Sequence, residues 1–322
     1  IDDWSNHTPR TRSTQIQLQA NQVYTLVVEY FNHGNTASIQ FGWGPPRDPF
    51  PLQQRQEAAS ADVVIVCVGT HDTEGADHPY ALPDDEDHFI ATAAALNPHC
   101  IVILNSGGNV AMNDWIDRVP ALIDAWYSGQ SGGRALAEIL LGLVNPSGHL
   151  PDTFEKDFSD SPAYGHYPGE DHSVDYAEGI YVGYRWYDTK HIAPRFPFGF
   201  GLSYTTFSIG DLKITSAGSG AGRTLTVTAN VTNTGPRAGA TVVQLYVRPP
   251  AGPVDRPYQE LKGFARVELA PGKSQSLSMS LDRRFFAYWD TTTHEWSVIP
   301  GSYTIALGQS SRDIAVTAPL TW

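Results

Sequence analysis

"ADVVIVCVG", residues 61–69, carries an unbroken apolar run from Val63 to Val68, bounded by Asp62 and Gly69. The run has the length of a strand and falls far short of the roughly 20 apolar residues a membrane span needs. Because it does not alternate, it predicts a strand covered on both faces, as in a parallel sheet lying between helices. "CIVILNSGG" (100–108) and "ALIDAWYSG" (121–129) repeat the pattern. Between and after these strands the sequence predicts a helix over about 85–96, a short helix near Trp115, and a helix using Leu136, Ile139, Leu140 and Leu143. Residues 155–200 read as a long, aromatic, wrapping connection.

Outward from this region the period changes to two. Downstream, Leu225–Val231, Val243–Val247, Leu277–Leu281 and Tyr303–Leu307 alternate apolar and other residues, with Gly- and Pro-rich turns between the series. That is the signature of an antiparallel β-sandwich of fibronectin type III or immunoglobulin-like kind. Upstream, Tyr24, Leu26, Val28 and Tyr30 alternate, as do Ile39, Phe41 and Trp43. Two or three strands cannot bury a core alone, so this segment reads as the end of an incomplete β-sandwich. The expected fold class is α/β plus all-β. Its expected parts are strands of the incomplete sandwich over 1–50, a mainly parallel α/β sandwich domain over 51–202, and a fibronectin type III-like β-sandwich over 203–322. The chain opens on "IDDW" without Met, which suggests that it was cut from a longer polypeptide.

Composition narrows the function. With 41% apolar and 11% aromatic residues the chain can build cores. A formal net charge of −13 and the lack of any basic cluster argue against nucleic acid as a partner. The sequence points to no membrane and no cofactor, and neutral ligands such as sugars stay open. Cys67 and Cys100 cannot form a disulfide framework or a metal site alone. Both read as buried free thiols on strands.

Ligands of parallel sheets sit at the carboxyl ends of the strands. The loop after Val68 reads "GTHDTEGADHPYALPDDEDHF" and holds seven carboxylates between Asp72 and Asp87. Asp84, Asp85, Glu86 and Asp87 read as a cap and first-turn acids of the next helix. Asp72, Glu74 and Asp77, with His71 and His78, remain in the loop proper. Three readings compete: a metal site, a solvated polar loop, and a proton donor at Glu74. His and carboxylates suit divalent ions, but the spacing matches no metal signature. Gly75 beside Glu74 lets the backbone turn sharply, and a glutamic acid with a raised pKa can protonate a leaving oxygen.

"TEGADHPYALP" (73–83) resembles the acid/base loop of family 3 glycoside hydrolases, whose pattern is Glu-Gly-x-Asp-Arg followed by an apolar stretch ending in Leu-Pro. Glu74, Asp77 and Leu82-Pro83 match, while His78 stands where the family usually has Arg. "WYSGQSGGRALAEILLGLVNPSGHLPDTF", "YAEGIYVGYRWYD", "FPFGFGLSYTTF" and "ELKGFARVELAPG" resemble further stretches of the same family. Residues 1–45 look like the end of a protective-antigen-like insert domain.

The resemblance implies a retaining exo-β-glycosidase, β-glucosidase foremost, with Glu74 as general acid/base and Asp72 and Asp77 as weaker substrate-binding candidates. It also implies a nucleophilic Asp on a (β/α)8 barrel, carried on missing sequence or a companion chain. Retention needs two carboxyl groups about 5–5.5 Å apart. Asn113-Asp114-Trp115 mimics the family's nucleophile motif but follows the second α/β strand, so Asp114 reads as structural. Expected partners are a small oligosaccharide or glycoside and the barrel, with a homo-oligomer left open and an extracellular or periplasmic location favoured. Other readings are a β-xylosidase, a β-N-acetylhexosaminidase, or a non-catalytic carbohydrate-binding protein.

Overall fold

The structure is a computed structural model that describes residues 14, 16–20, 22–29, 50–75, 79–169 and 173–322. The chain divides into two compact units, residues 1–105 with 114–124, and residues 106–113 with 125–322.

The first unit contains α1 (Leu52–Ser60), β1 (Val64–Gly69), α2 (Glu86–Leu96), β2 (Cys100–Asn105) and β3 (Ala121–Asp124). The strands pair in the order β1-β2-β3, all parallel, with Val64 opposite Cys100 and Ile101 opposite Ala121. Each apolar run thus became a strand, and parallel pairing follows because a helical crossover joins β1 to β2. Val66 and Val68 of β1, Ile90 and Ala93 of α2, and Val102 and Leu104 of β2 are buried. Burial of the valine, isoleucine and leucine side chains among them contributes about 1.5–3 kcal/mol each.

Helix α1 is not evident in the sequence, since no residue of it is buried. It is held by Asn97, a buried side chain whose Nδ2 donates to Ala58 O at 2.9 Å and Ala61 O at 2.7 Å. These carbonyls lie at the helix end, where backbone acceptors lack intrahelical partners. The predicted helix near Trp115 is a single 3-10 turn, Ile116–Arg118.

Two expectations need correction. Ile65 is 50% exposed and Cys67 is exposed, whereas Val66 between them is 3% exposed. The run is continuous, but the described residues cover only one face of β1. Tyr24, Leu26 and Val28 form no strand among the described residues and are exposed. Alternation supplies a face but not the hydrogen-bonded neighbour that a ladder requires. Tyr30, Ile39, Phe41 and Trp43 lie outside the described residues.

The second unit holds α3 (Gly132–Leu140), α4 (Tyr184–Lys190) and the antiparallel strands β4 (Phe207–Ala217), β5 (Thr224–Asn233), β6 (Gly239–Arg248), β7 (Glu260–Leu269), β8 (Ser274–Asp282), β9 (Tyr288–Asp290), β10 (Glu295–Ser297), β11 (Ser302–Gly308) and β12 (Ile314–Thr321). Sheets β12-β11-β6-β7 and β4-β5-β8 face each other, and β9-β10 is a separate hairpin. Leu225, Val227, Val243, Leu245, Phe286, Tyr303, Ile305 and Leu307 fill the space between the sheets. The four alternating series seen in the sequence are β5, β6, β8 and β11. The aromatic connection packs by its own contacts: Tyr184 of α4 stacks on Phe198 at 4.9 Å and meets Tyr246 edge-on at 5.9 Å.

Candidate active site

The strand ends of β1 and β2 meet at Gly69, which lies opposite Asn105. A Cβ on Gly69 would stand 2.2 Å from the Asn105 carbonyl oxygen, so this close approach requires glycine. Thr70 N donates to Asn105 O at 3.0 Å, and Asn105 Nδ2 reaches Val68 O at 3.4 Å. The backbone is pinned as far as Thr70 and then leaves the sheet.

Asp72, half-buried, begins this excursion, and Glu74 with Gly75 forms a turn. Gly75 has φ +80°, a conformation glycine adopts without the Cβ penalty. Glu74 is exposed on the turn. Asp77 and His78 lie outside the described residues.

The acids that follow do more than complement a helix. Asp84 and Asp85 take left-handed φ values of 53° and 63°, which Asp tolerates better than most residues. No side chain caps the N-terminus of α2, contrary to the expected cap. Instead Glu86 Oε2 accepts from Gly69 N at 3.1 Å, tying the helix start to the strand end. Burial pushes the Glu86 carboxyl above its ordinary pKa; the Gly69 bond and His71 oppose this, and Asp84 adds to it. Asp87 Oδ1 accepts from Trp115 Nε1 at 2.8 Å, and burial likewise raises its pKa, with Asp114 pushing the same way. Asp114 itself is exposed while Trp115 is buried, so the anchored member of the Asn-Asp-Trp triplet is the indole.

The first unit therefore presents Glu74 on an exposed turn of a loop whose two ends are fixed, two residues after the half-buried Asp72. The arrangement suits a proton donor or acceptor working at the rim of the sheet. Among the described residues, no group of three or more His, Cys, Asp or Glu could hold a metal ion.

Sequence reasoning missed Glu86 as a tether and Glu155 altogether. In the second unit, burial raises the Glu155 pKa against hydrogen bonds from its own backbone and Asn109. Tyr187 OH donates to Glu155 Oε2 at 3.4 Å. Glu155 lies in the aromatic connection, where no periodicity marks it. The turn at Ser106 and Gly108 is closed by its own bonds, Ser106 Oγ donating to Gly108 O at 2.5 Å and accepting from Gly108 N at 3.2 Å.

Residues 4–204 match the glycosyl hydrolase family 3 C-terminal domain, and residues 241–311 match the fibronectin type III-like domain. Thermostable beta-glucosidase B of Acetivibrio thermocellus is 41% identical over 268 residues, covering 82% of this chain and 35% of that protein. The exo-alpha-(1->6)-L-arabinopyranosidase of Bifidobacterium breve is 40% identical over 277 residues, 84% of this chain and 36% of that protein. The crystal structure of the Bifidobacterium adolescentis GH3 beta-glucosidase matches with TM-score 0.79 at 40% identity, covering 85% of this chain and 41% of that one. The chain thus spans well under half the length of these relatives. The parallel sheet and the acid-bearing loop fall within the first matched stretch, and strands β7 to β11 of the second unit fall within the other: the chain belongs to glycoside hydrolase family 3 and carries its C-terminal domain.

Proposed function

We propose that this chain supplies the general acid/base of a retaining exo-β-glycosidase, with Glu74 as that residue. The supporting observation is the Glu74-Gly75 turn beyond the carboxyl end of β1, with Gly69 tied to Glu86 and Asn105 at its base. In this reading Glu74 protonates the leaving oxygen while a nucleophilic Asp on a (β/α)8 barrel attacks the anomeric carbon. Glu74 then takes a proton from the water that hydrolyses the glycosyl-enzyme. Asp72 and Asp77 would contact the substrate. The barrel would close over the loop and exclude water from it. The domain division near residues 50 and 203 belongs to the same proposal.

β-Glucosides are the leading substrate, as the curated β-glucosidase relative suggests, with arabinopyranosides the second candidate from the Bifidobacterium relative. The test is Glu74→Ala in the complete, barrel-containing protein, assayed on aryl glucosides and arabinopyranosides of graded leaving-group acidity. Activity on poor leaving groups should fall by about 10²–10⁴-fold, the usual worth of general acid catalysis. Good leaving groups should suffer less, and azide should restore part of the turnover. Undiminished hydrolysis of a disaccharide would remove Glu74 from the role.

A further inference from the structure

The β9–β10 hairpin projects two large aromatic side chains that the sandwich core does not use. Trp289 and Trp296 are cross-strand partners, 46% and 38% exposed, with ring centroids 5.3 Å apart and planes at 61°. Single exposed apolar residues are ordinary, but paired indoles on one small element mark a contact surface.

The hairpin is held rigid from several sides. Asp290 Oδ1 accepts from Thr292 N at 2.8 Å, bracing the turn. Arg283 Nη1 donates to Trp296 O at 2.7 Å, and the Arg284 guanidinium lies over the Trp296 ring. With Trp296 occupied in this way, Trp289 is the more available ring.

The surroundings narrow the ligand class. Residues 291–296 are all exposed and include Thr291, Thr292, Thr293 and Glu295, hydroxyl and carboxylate groups carried on the same hairpin. Asp282, Asp290 and Glu295 stand against Arg283 and Arg284, so the hairpin and the turn leading into it carry no excess of positive charge. An anionic ligand finds no excess of cations here, and a purely apolar ligand would meet a polar rim. A pyranose ring combines an apolar C–H face, attracted to the negative face of an indole, with a rim of hydroxyls that exchange hydrogen bonds with Thr and Glu. We propose that the β9–β10 hairpin is an auxiliary binding surface for neutral oligosaccharides, with Trp289 as the platform for one sugar ring. The surface does not depend on the catalytic role of Glu74 and would hold glycan near the enzyme while chemistry proceeds elsewhere. A rigid platform loses little freedom on binding, so even a small contact can be effective.

The experiment titrates the 322-residue chain with cellohexaose and with laminarihexaose, followed by tryptophan fluorescence and calorimetry at low and high salt. Saturable binding that is insensitive to salt is expected, since the ligand is uncharged. Trp289→Ala should weaken it by about tenfold or more, from the loss of one aromatic contact and its buried area. Trp289→Tyr should retain most of it. Phe264→Ala, removing a 71% exposed ring from β7 of the same sandwich, should leave it unchanged. No saturable binding of either sugar would overturn the proposal, as would equal affinity in the Trp289→Ala and Phe264→Ala proteins. A dimer in light scattering that Trp289→Ala dissociates would assign the surface to a second copy and overturn it too. None of these results bears on Glu74, which is tested by catalysis.

Discussion

Cys67 and Cys100 show how far a residue can be read from its neighbours in sequence. Both stand in apolar runs, and burial was the natural expectation for both; Cys100 is buried and Cys67 is exposed. The difference is one of faces. Cys100 pairs with Val64 and Cys67 with Ile103, so the two thiols are three residues apart along adjacent strands and point to opposite sides. Three residues of strand span about 10 Å, beyond the Cα separation of about 7 Å that a disulfide tolerates. Ellman's reagent should therefore titrate one thiol per native chain promptly, Cys67. Cys100, whose pKa burial raises, should react only after guanidinium unfolding. Two prompt thiols, or none, would contradict the placement of β1. The exposed turn at Glu74-Gly75 was legible because a glycine beyond an apolar strand marks a loop locally, whereas the role proposed for Glu74 rests on the family resemblance. Glu86 was not, because its bond to Gly69 spans 17 residues and local pattern shows only a first-turn acid.

Elements were legible in proportion to how much of their own face they bury. β1, β2 and β3 each carry their apolar run, and β5, β6, β8 and β11 alternate over a core they largely form. α1 buries nothing and α4 has only seven residues, so neither has a period strong enough to recognise. α4 is held by tertiary contacts instead. Asp188 Oδ1 accepts from Arg312 Nε at 2.5 Å and its Oδ2 from Gln259 Nε2 at 2.8 Å, joining α4 to the β11–β12 turn and the start of β7. Arg312 also donates to Tyr187 O and Ile192 O, each at 3.0 Å, and so holds both the body and the end of the helix. Asp188 is buried while Arg312 is partly exposed, so solvent weakens the attraction but cannot replace the lost acceptor. Asp188→Ala should destabilise the protein by about 3 kcal/mol, the low end for breaking a buried pair. Urea unfolding followed by tryptophan fluorescence reads this as a lower midpoint. A shift no larger than a surface substitution gives would mean that stacking of Tyr184 on Phe198, not the ion pair, fixes α4.

At the scale of the whole molecule, the chain holds an acid-bearing loop and a sandwich but spans only 35–41% of the length of its relatives. A retaining glycosidase divides the displacement between two carboxyl groups about 5–5.5 Å apart on opposite sides of the anomeric carbon. Asp114, the residue whose sequence context imitates the family nucleophile, follows a loop after β2 and precedes the buried anchor Trp115. Its neighbour in charge is Asp87, which is engaged with the Trp115 indole. In the role proposed for it, Glu74 without a nucleophile could only protonate. The walls that orient a terminal sugar would be missing as well, and orientation alone can account for about 7–11 kcal/mol of a barrier. The purified 322-residue chain, folded by circular dichroism, should therefore show no turnover of nitrophenyl β-glucoside above the buffer rate. Joined to a barrel, as one polypeptide or as two chains mixed, it should recover activity, and Glu74→Ala should remove that gain. Turnover by the isolated chain that survives repurification and is lost in Asp114→Asn would mean that the nucleophile lies within these residues after all.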